Sequence, residues 1–133
     1  MSFNKKKNGN LKNFDTLIGT NTTFIGNIES DGIIRIDGKV KGNIKAGSDV
    51  YVGSNAQING NIHSSNVYIS GTVNGNIYSS GIARLFSTAK LIGDIEVKSF
   101  VSDEGAIFQG KCKMLIEELP GNENKHEKEA AEE

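Results

Sequence analysis

Residues 40–46 read Val40-Lys41-Gly42-Asn43-Ile44-Lys45-Ala46, and nearly the same phrase returns as Ile58-Asn59-Gly60-Asn61-Ile62-His63-Ser64 and Val73-Asn74-Gly75-Asn76-Ile77-Tyr78-Ser79. An apolar residue stands two places before each glycine and another two places after it. Alternation with a period of two is the mark of a strand with one face buried, and the glycine between marks a tight corner. The same unit appears earlier at Gly26-Asn27-Ile28 and later as Gly93-Asp94-Ile95, then in degraded form as Gly110-Lys111-Cys112. Strands repeating about every seventeen residues predict a solenoid in which coil stacks upon coil.

The register extends outward from these corners. The residues before the glycines, Phe24, Val40, Ile58, Val73, Leu91 and Phe108, form one inward series, and Ile28, Ile44, Ile62, Ile77, Ile95 and Cys112 form a second. Small side chains at Ser30, Ala46, Ser64 and Ser79, then Val97, predict a narrow slot. A third strand follows with Ile34/Ile36, Val50/Val52, Val67/Ile69 and Ala83/Leu85 inward. Each coil is therefore a small triangle of three short strands, and six coils at roughly 4.8 Å make a rod about 30 Å long. The longer coils carry Ala56, Ala89 and Ala106, which places the length variation at one corner. A barrel or sandwich explains the alternation but not the recurring Gly-Asn-Ile.

Three outward columns follow. Arg35, Tyr51, Tyr68 and Arg84 stack on one face, where cation–π contacts are expected. Glu29, Lys45, His63, Tyr78 and Glu96 stack on another, and Asn27, Asn43, Asn61 and Asn76 form a corner ladder. Each column serves the solenoid or a partner.

The chain has 133 residues, 16 of them Gly and one Pro, and a net charge of -1. Its length fits one domain. Charge is unevenly spread: residues 1–13 hold four lysines and no acid, whereas 117–133 hold seven glutamates against two lysines. The middle carries nine basic and nine acidic residues. That distribution predicts disordered tails, basic at 1–13 and acidic at 117–133, around a folded domain at 14–116. A neutral core argues against a nucleic-acid surface. One cysteine, Cys112, and no apolar leader after Met1 predict a reducing, cytoplasmic setting.

Candidate chemistry is sparse. His63 and His126 are the two histidines and Cys112 stands alone, so neither a three-ligand metal cluster nor a Cys/His nucleophile pair assembles. Corner carboxylates such as Asp31, Asp37 and Asp49 read as turn residues. A nucleotide-binding P-loop and a calcium-binding glycine-aspartate repeat are both missing. The strict six-residue repeat of left-handed solenoid acyltransferases is broken by the uneven spacing. The chain is expected to be no enzyme and to take no cofactor. Its apolar ends stand out instead. Phe14, Leu17 and Ile18 precede the first coil, and Phe100, Phe108, Met114, Leu115 and Ile116 crowd the last, with no polar cap in view. End-to-end stacking through Phe14, Leu17, Ile18, Phe100, Phe108, Met114 and Leu115 is the expected outcome, unless the tails fold back over those ends.

The stretch from Leu17 to Ile44, above all Ile34-Arg35-Ile36-Asp37-Gly38-Lys39-Val40-Lys41-Gly42, resembles the bactofilin family, over about residues 14–116. The resemblance implies an all-β, right-handed β-helix that polymerises without nucleotide into non-polar filaments. It further implies a bacterial scaffold for cell shape or envelope synthesis, often attached to the inner face of the cell membrane. Many members carry an N-terminal membrane-targeting segment, to which Met1, Phe3, Lys5, Lys6 and Lys7 correspond. The implied partners are further copies of the chain, an anionic membrane surface and envelope or membrane proteins. A monomeric module that docks a partner on its outer face is the alternative reading.

Overall fold

The computed structural model describes residues 14–115. Every regular element among them is a short strand, grouped in six coils. The first coil holds β1 (Thr16–Ile18), β2 (Thr23–Ile25) and β3 (Ile28–Ser30), and the second β4 (Ile34–Ile36), β5 (Lys39–Lys41) and β6 (Ile44–Ala46). The third holds β7 (Asp49–Val52), β8 (Gln57–Asn59) and β9 (Ile62–Ser64), and the fourth β10 (Asn66–Ile69), β11 (Thr72–Asn74) and β12 (Ile77–Ser79). The fifth holds β13 (Ile82–Leu85), β14 (Lys90–Ile92) and β15 (Ile95–Val97), and the sixth β16 (Ser99–Ser102), β17 (Ile107–Gln109) and β18 (Cys112–Met114).

Each strand pairs in parallel with its counterpart in the next coil, giving three six-stranded faces. The first face begins at β1, the second at β2 and the third at β3. The inward residues are those read from the alternation. Val40, Ile58, Val73 and Leu91 are fully buried on the second face, as are Ile44, Ile62, Ile77 and Ile95 on the third. β-branched side chains suit this pleated interior, where each ring of apolar residues lies against the next. The small series is buried from Ala46 onward, with Ser30 half-buried at the open first coil: Ser64 accommodates its hydroxyl by donating to the Asn66 carbonyl at 3.0 Å, and Ser79 by donating to the Ser65 carbonyl at 2.6 Å.

The corner between the second and third faces is two residues in all six coils. Its glycines, Gly26, Gly42, Gly60, Gly75, Gly93 and Gly110, have φ between +136° and +155°. From Gly42 onward a Cβ would overlap the carbonyl oxygen of the equivalent glycine one coil earlier. Glycine is required there twice over, by conformation and by the close approach of successive coils. The residue after it ties the coils together, since the side-chain oxygens of Asn27, Asn43, Asn61 and Asn76 accept the backbone N–H of the next coil's equivalent residue at 2.9 Å. Asp94 does the same for Lys111 at 3.1 Å.

Length varies at the other two corners, rather than at one. Between the first and second faces, coils one, three, five and six close with a four-residue turn, in which Ala56 donates to Gly53, Ala89 to Phe86 and Ala106 to Asp103. Coils two and four cross there with two residues only, Asp37-Gly38 and Ser70-Gly71. Between the third and first faces the link shortens by a residue at Ser65 and at Lys98. Neither corner has a stacked glycine under it at every level, so extra backbone bulges outward without parting the coils.

Candidate assembly surfaces

A stack of parallel strands leaves both of its ends open. β1, β2 and β3 pair on one side only, as do β16, β17 and β18. The core reaches solvent at those levels. Ile18 and Ile28 in the first coil and Phe108 in the last each retain 8% exposure, whereas Ile34, Ile44 and Leu91 retain none. Phe24 caps one end of the core from the second face, half-buried. At the other end Phe100 and Phe108 meet with ring centroids 5.4 Å apart, and the Cys112 thiol lies 3.8 Å from the Met114 sulfur. Burial pushes the Cys112 thiol pKa up, which keeps it in the neutral form.

The residues expected at the ends therefore part company. Ile18 belongs to the first coil itself, on β1, and joins the exposed rim there. Phe100, Phe108 and Met114 gather at the last coil. Leu17, in contrast, points outward from β1, 60% exposed, in register with Arg35. Phe14 also leaves the end and lies edge-on to Tyr51, two coils along, with ring centroids 5.9 Å apart. Leu115 sits beside a groove on the third face. Reading from the alternation missed Phe24 and Ile28 as part of the open rim, although both stood in its inward series. Met1, Phe3, Lys5, Lys6, Lys7 and Ile116 lie outside the described residues.

The three faces differ in chemistry. On the first, the column runs Leu17, Arg35, Tyr51, Tyr68, Arg84, Val101. Tyr51 and Tyr68 stack with centroids 4.9 Å apart, and the Arg84 guanidinium stands 4.8 Å over Phe86. Both arginines meet acids: Arg35 bonds Asp37 through two nitrogens, and Arg84 bonds Asp103 at 2.9 Å. On the second face Lys39, Lys41 and Lys90 point outward among Thr, Asn, Gln and Ile side chains. On the third the column runs Glu29, Lys45, His63, Tyr78, Glu96, Lys113. There His63 and Tyr78 stack with centroids 4.5 Å apart, above a shallow groove of about 380 Å³. Among the described residues no three of His, Cys, Asp and Glu come together as a metal-holding group, and no helix is long and apolar enough to cross a membrane.

The bactofilin family, described as polymer-forming cytoskeletal, matches residues 16–113. The chain belongs to the bactofilin family. Bactofilin BacO of Myxococcus xanthus is 33% identical over 104 residues, covering 78% of this chain and 82% of that protein. The bactofilin of Thermus thermophilus, reconstructed as double helical filaments, superposes with a TM-score of 0.67 at 26% identity, over 73% of this chain and 96% of that one. The bactofilin solenoid found here is accordingly that of a polymer-forming cytoskeletal protein.

Proposed function

We propose that this bactofilin is a scaffold whose protomers stack end to end, without nucleotide, into non-polar filaments that attach to the inner face of the cell membrane. There it organises proteins of cell shape or envelope synthesis. The observation that carries this reading is the pair of open ends, where unpaired strand edges and the rim of Ile18, Phe24, Phe108 and Met114 stand uncovered among the described residues. Edges of this kind are templates for further pairing. Stacking of one coil on another across a junction would extend the three faces and bury the rim, with binding energy that comes from apolar area and backbone hydrogen bonds alone. By analogy with the double helical filaments of the Thermus relative, two such filaments run side by side. The role is structural, with no catalytic step.

Negative-stain microscopy of the purified chain in nucleotide-free buffer tests the core of this reading. Long filaments are expected. A population of monomers only, at every concentration tried, would overturn it in favour of a binding module that works alone.

A further inference from the structure

We propose that the third face is the lateral interface between paired filaments, and that it joins two copies antiparallel about a two-fold axis passing between the third and fourth coils. This rests on the reading above that filaments form and pair; the face, the orientation and the register are new.

The argument is in the column itself. From the first coil to the last the outward residues are Glu29, Lys45, His63, Tyr78, Glu96 and Lys113. Reversed and laid against itself, this order sets Glu29 opposite Lys113, Lys45 opposite Glu96 and His63 opposite Tyr78. Every charge meets its opposite, twice per pair of copies, as an isologous contact demands. A parallel arrangement in register sets each charge against its like, and one slipped by a coil gains two opposite pairs, Glu29 with Lys45 and Glu96 with Lys113, against four in the antiparallel register. An antiparallel slip of one coil brings Glu29 against Glu96 in one direction and Lys45 against Lys113 in the other. Charge thus favours the antiparallel register, which makes the most opposite-charge contacts of those the face allows and meets the isologous symmetry.

The four charges are available for this. Glu29 adjoins Lys45 in register, and Glu96 adjoins Lys113, yet none of them forms an ion pair among the described residues. The arginines of the first face, by contrast, already hold acids of their own chain. The flanking corner column fits the same operation. Asn27 comes opposite Lys111, Asn43 opposite Asp94 and Asn61 opposite Asn76, with no like charges facing. The second face offers no such match, because Lys39, Lys41 and Lys90 meet no acid on its strands.

A face one strand wide and six coils long covers roughly 300 Å², well under the ~800 Å² per partner of a stable complex. Isolated protomers do not pair through it. Successive protomers along a filament sum the contacts, so pairing follows polymerisation.

Charge exchange on the full-length chain tests the proposal, read as the fraction of paired filaments in negative stain. Lys45→Glu and Glu96→Lys should each leave long but single filaments, and the double variant Lys45→Glu/Glu96→Lys should restore pairs. Lys41→Glu on the second face should leave pairing unchanged, and high salt should separate wild-type pairs while each filament persists. A short bismaleimide should link Lys45→Cys chains to Glu96→Cys chains in mixed filaments, and neither variant to itself. Pairs that survive Lys45→Glu, or that the double variant fails to restore, would overturn the interface. Single wild-type filaments would overturn lateral pairing and leave end-to-end growth standing, whereas failure of the wild type to polymerise would overturn the assembly reading together with this one.

Discussion

The side-chain oxygen of Asn61 accepts the backbone N–H of Asn76, one coil further on, at 2.9 Å. Asn61's own N–H is held in turn by Asn43. Each corner asparagine thus satisfies a donor that the parallel ladder passes by, where the chain swings from one face to the next. Asn61→Ala should cost about 1 kcal/mol, the usual effect of leaving a partly exposed N–H without its partner. That corresponds to roughly 4–8 °C in a thermal melt of a domain this size. Asn61→Asp should stay close to wild type, because Asp94 fills the same role for Lys111.

Gly75 and Gly26 occupy the same corner with different surroundings. At Gly75 φ is +155° and a Cβ would overlap the carbonyl of Gly60; at Gly26 φ is +136° and the nearest atom to a Cβ is the Phe24 ring at 3.6 Å. Gly75→Ala adds displacement of a coil to backbone strain and should destabilise by more than about 3 kcal/mol. Gly26→Ala pays for strain alone, about 1–3 kcal/mol. Urea titrations of the two variants would check the ranking, and equal losses would show that the coils part easily.

Phe108 is the last inward residue of its column and faces the open end. Phe108→Arg should place a charge against the apolar rim at the junction, a cost of several kcal/mol per contact. Filaments should give way to small species in sedimentation, with the circular dichroism of the solenoid retained. Long filaments from a folded Phe108→Arg would show that the last coil is not a junction.

Cys112 supplies a pH dependence with a definite sign. Burial raises its folded pKa, so above the ordinary thiol value of about 8.5 the unfolded chain releases a proton that the folded chain keeps. The contribution is complete below that value and is lost as pH rises through the folded pKa. Wild type should therefore lose stability relative to Cys112→Ala between neutral and strongly alkaline pH. A thiol reagent should label the folded chain slowly and the urea-unfolded chain at once.

The proposed attachment to lipid rests on the lysines and apolar residues of Met1 to Lys7. Lysines near an anionic surface contribute about 1 kcal/mol each, too little to hold one chain, and a filament multiplies them. The wild-type chain should sediment with anionic vesicles, deletion of Met1 to Lys7 should abolish this, and Phe108→Arg should weaken it with the segment intact.

How far the chain could be read before folding depends on whether a residue has counterparts in other coils. Ile44, Ile62 and Ile77 announce one another, so the core, the three faces and the outward columns were legible from spacing. The Gly-Asn corner was legible as well, since both of its constraints recur at each level. Phe14 has no counterpart, and nothing in spacing alone says that it turns back along the first face to Tyr51. Leu17 looked terminal because Thr16–Ile18 comes before the first glycine phrase, whereas every later strand of the first face follows one. Length differences were assigned to the corner that carries Ala56, Ala89 and Ala106; the smaller change at Ser65 and Lys98 left no such signature.

The invariant two-residue corner makes the protomer a ruler graduated in whole coils. A coil can be duplicated or deleted between two stacked glycines with both ends untouched, changing the axial spacing by one step of about 4.8 Å. The count of coils then acquires a parity. With six, a perpendicular two-fold falls in the gap between neighbouring coils and every side chain of a column meets a different one. With five or seven it would fall on a coil, and one residue would be obliged to meet its own copy, which a charged residue does badly and an aromatic one well.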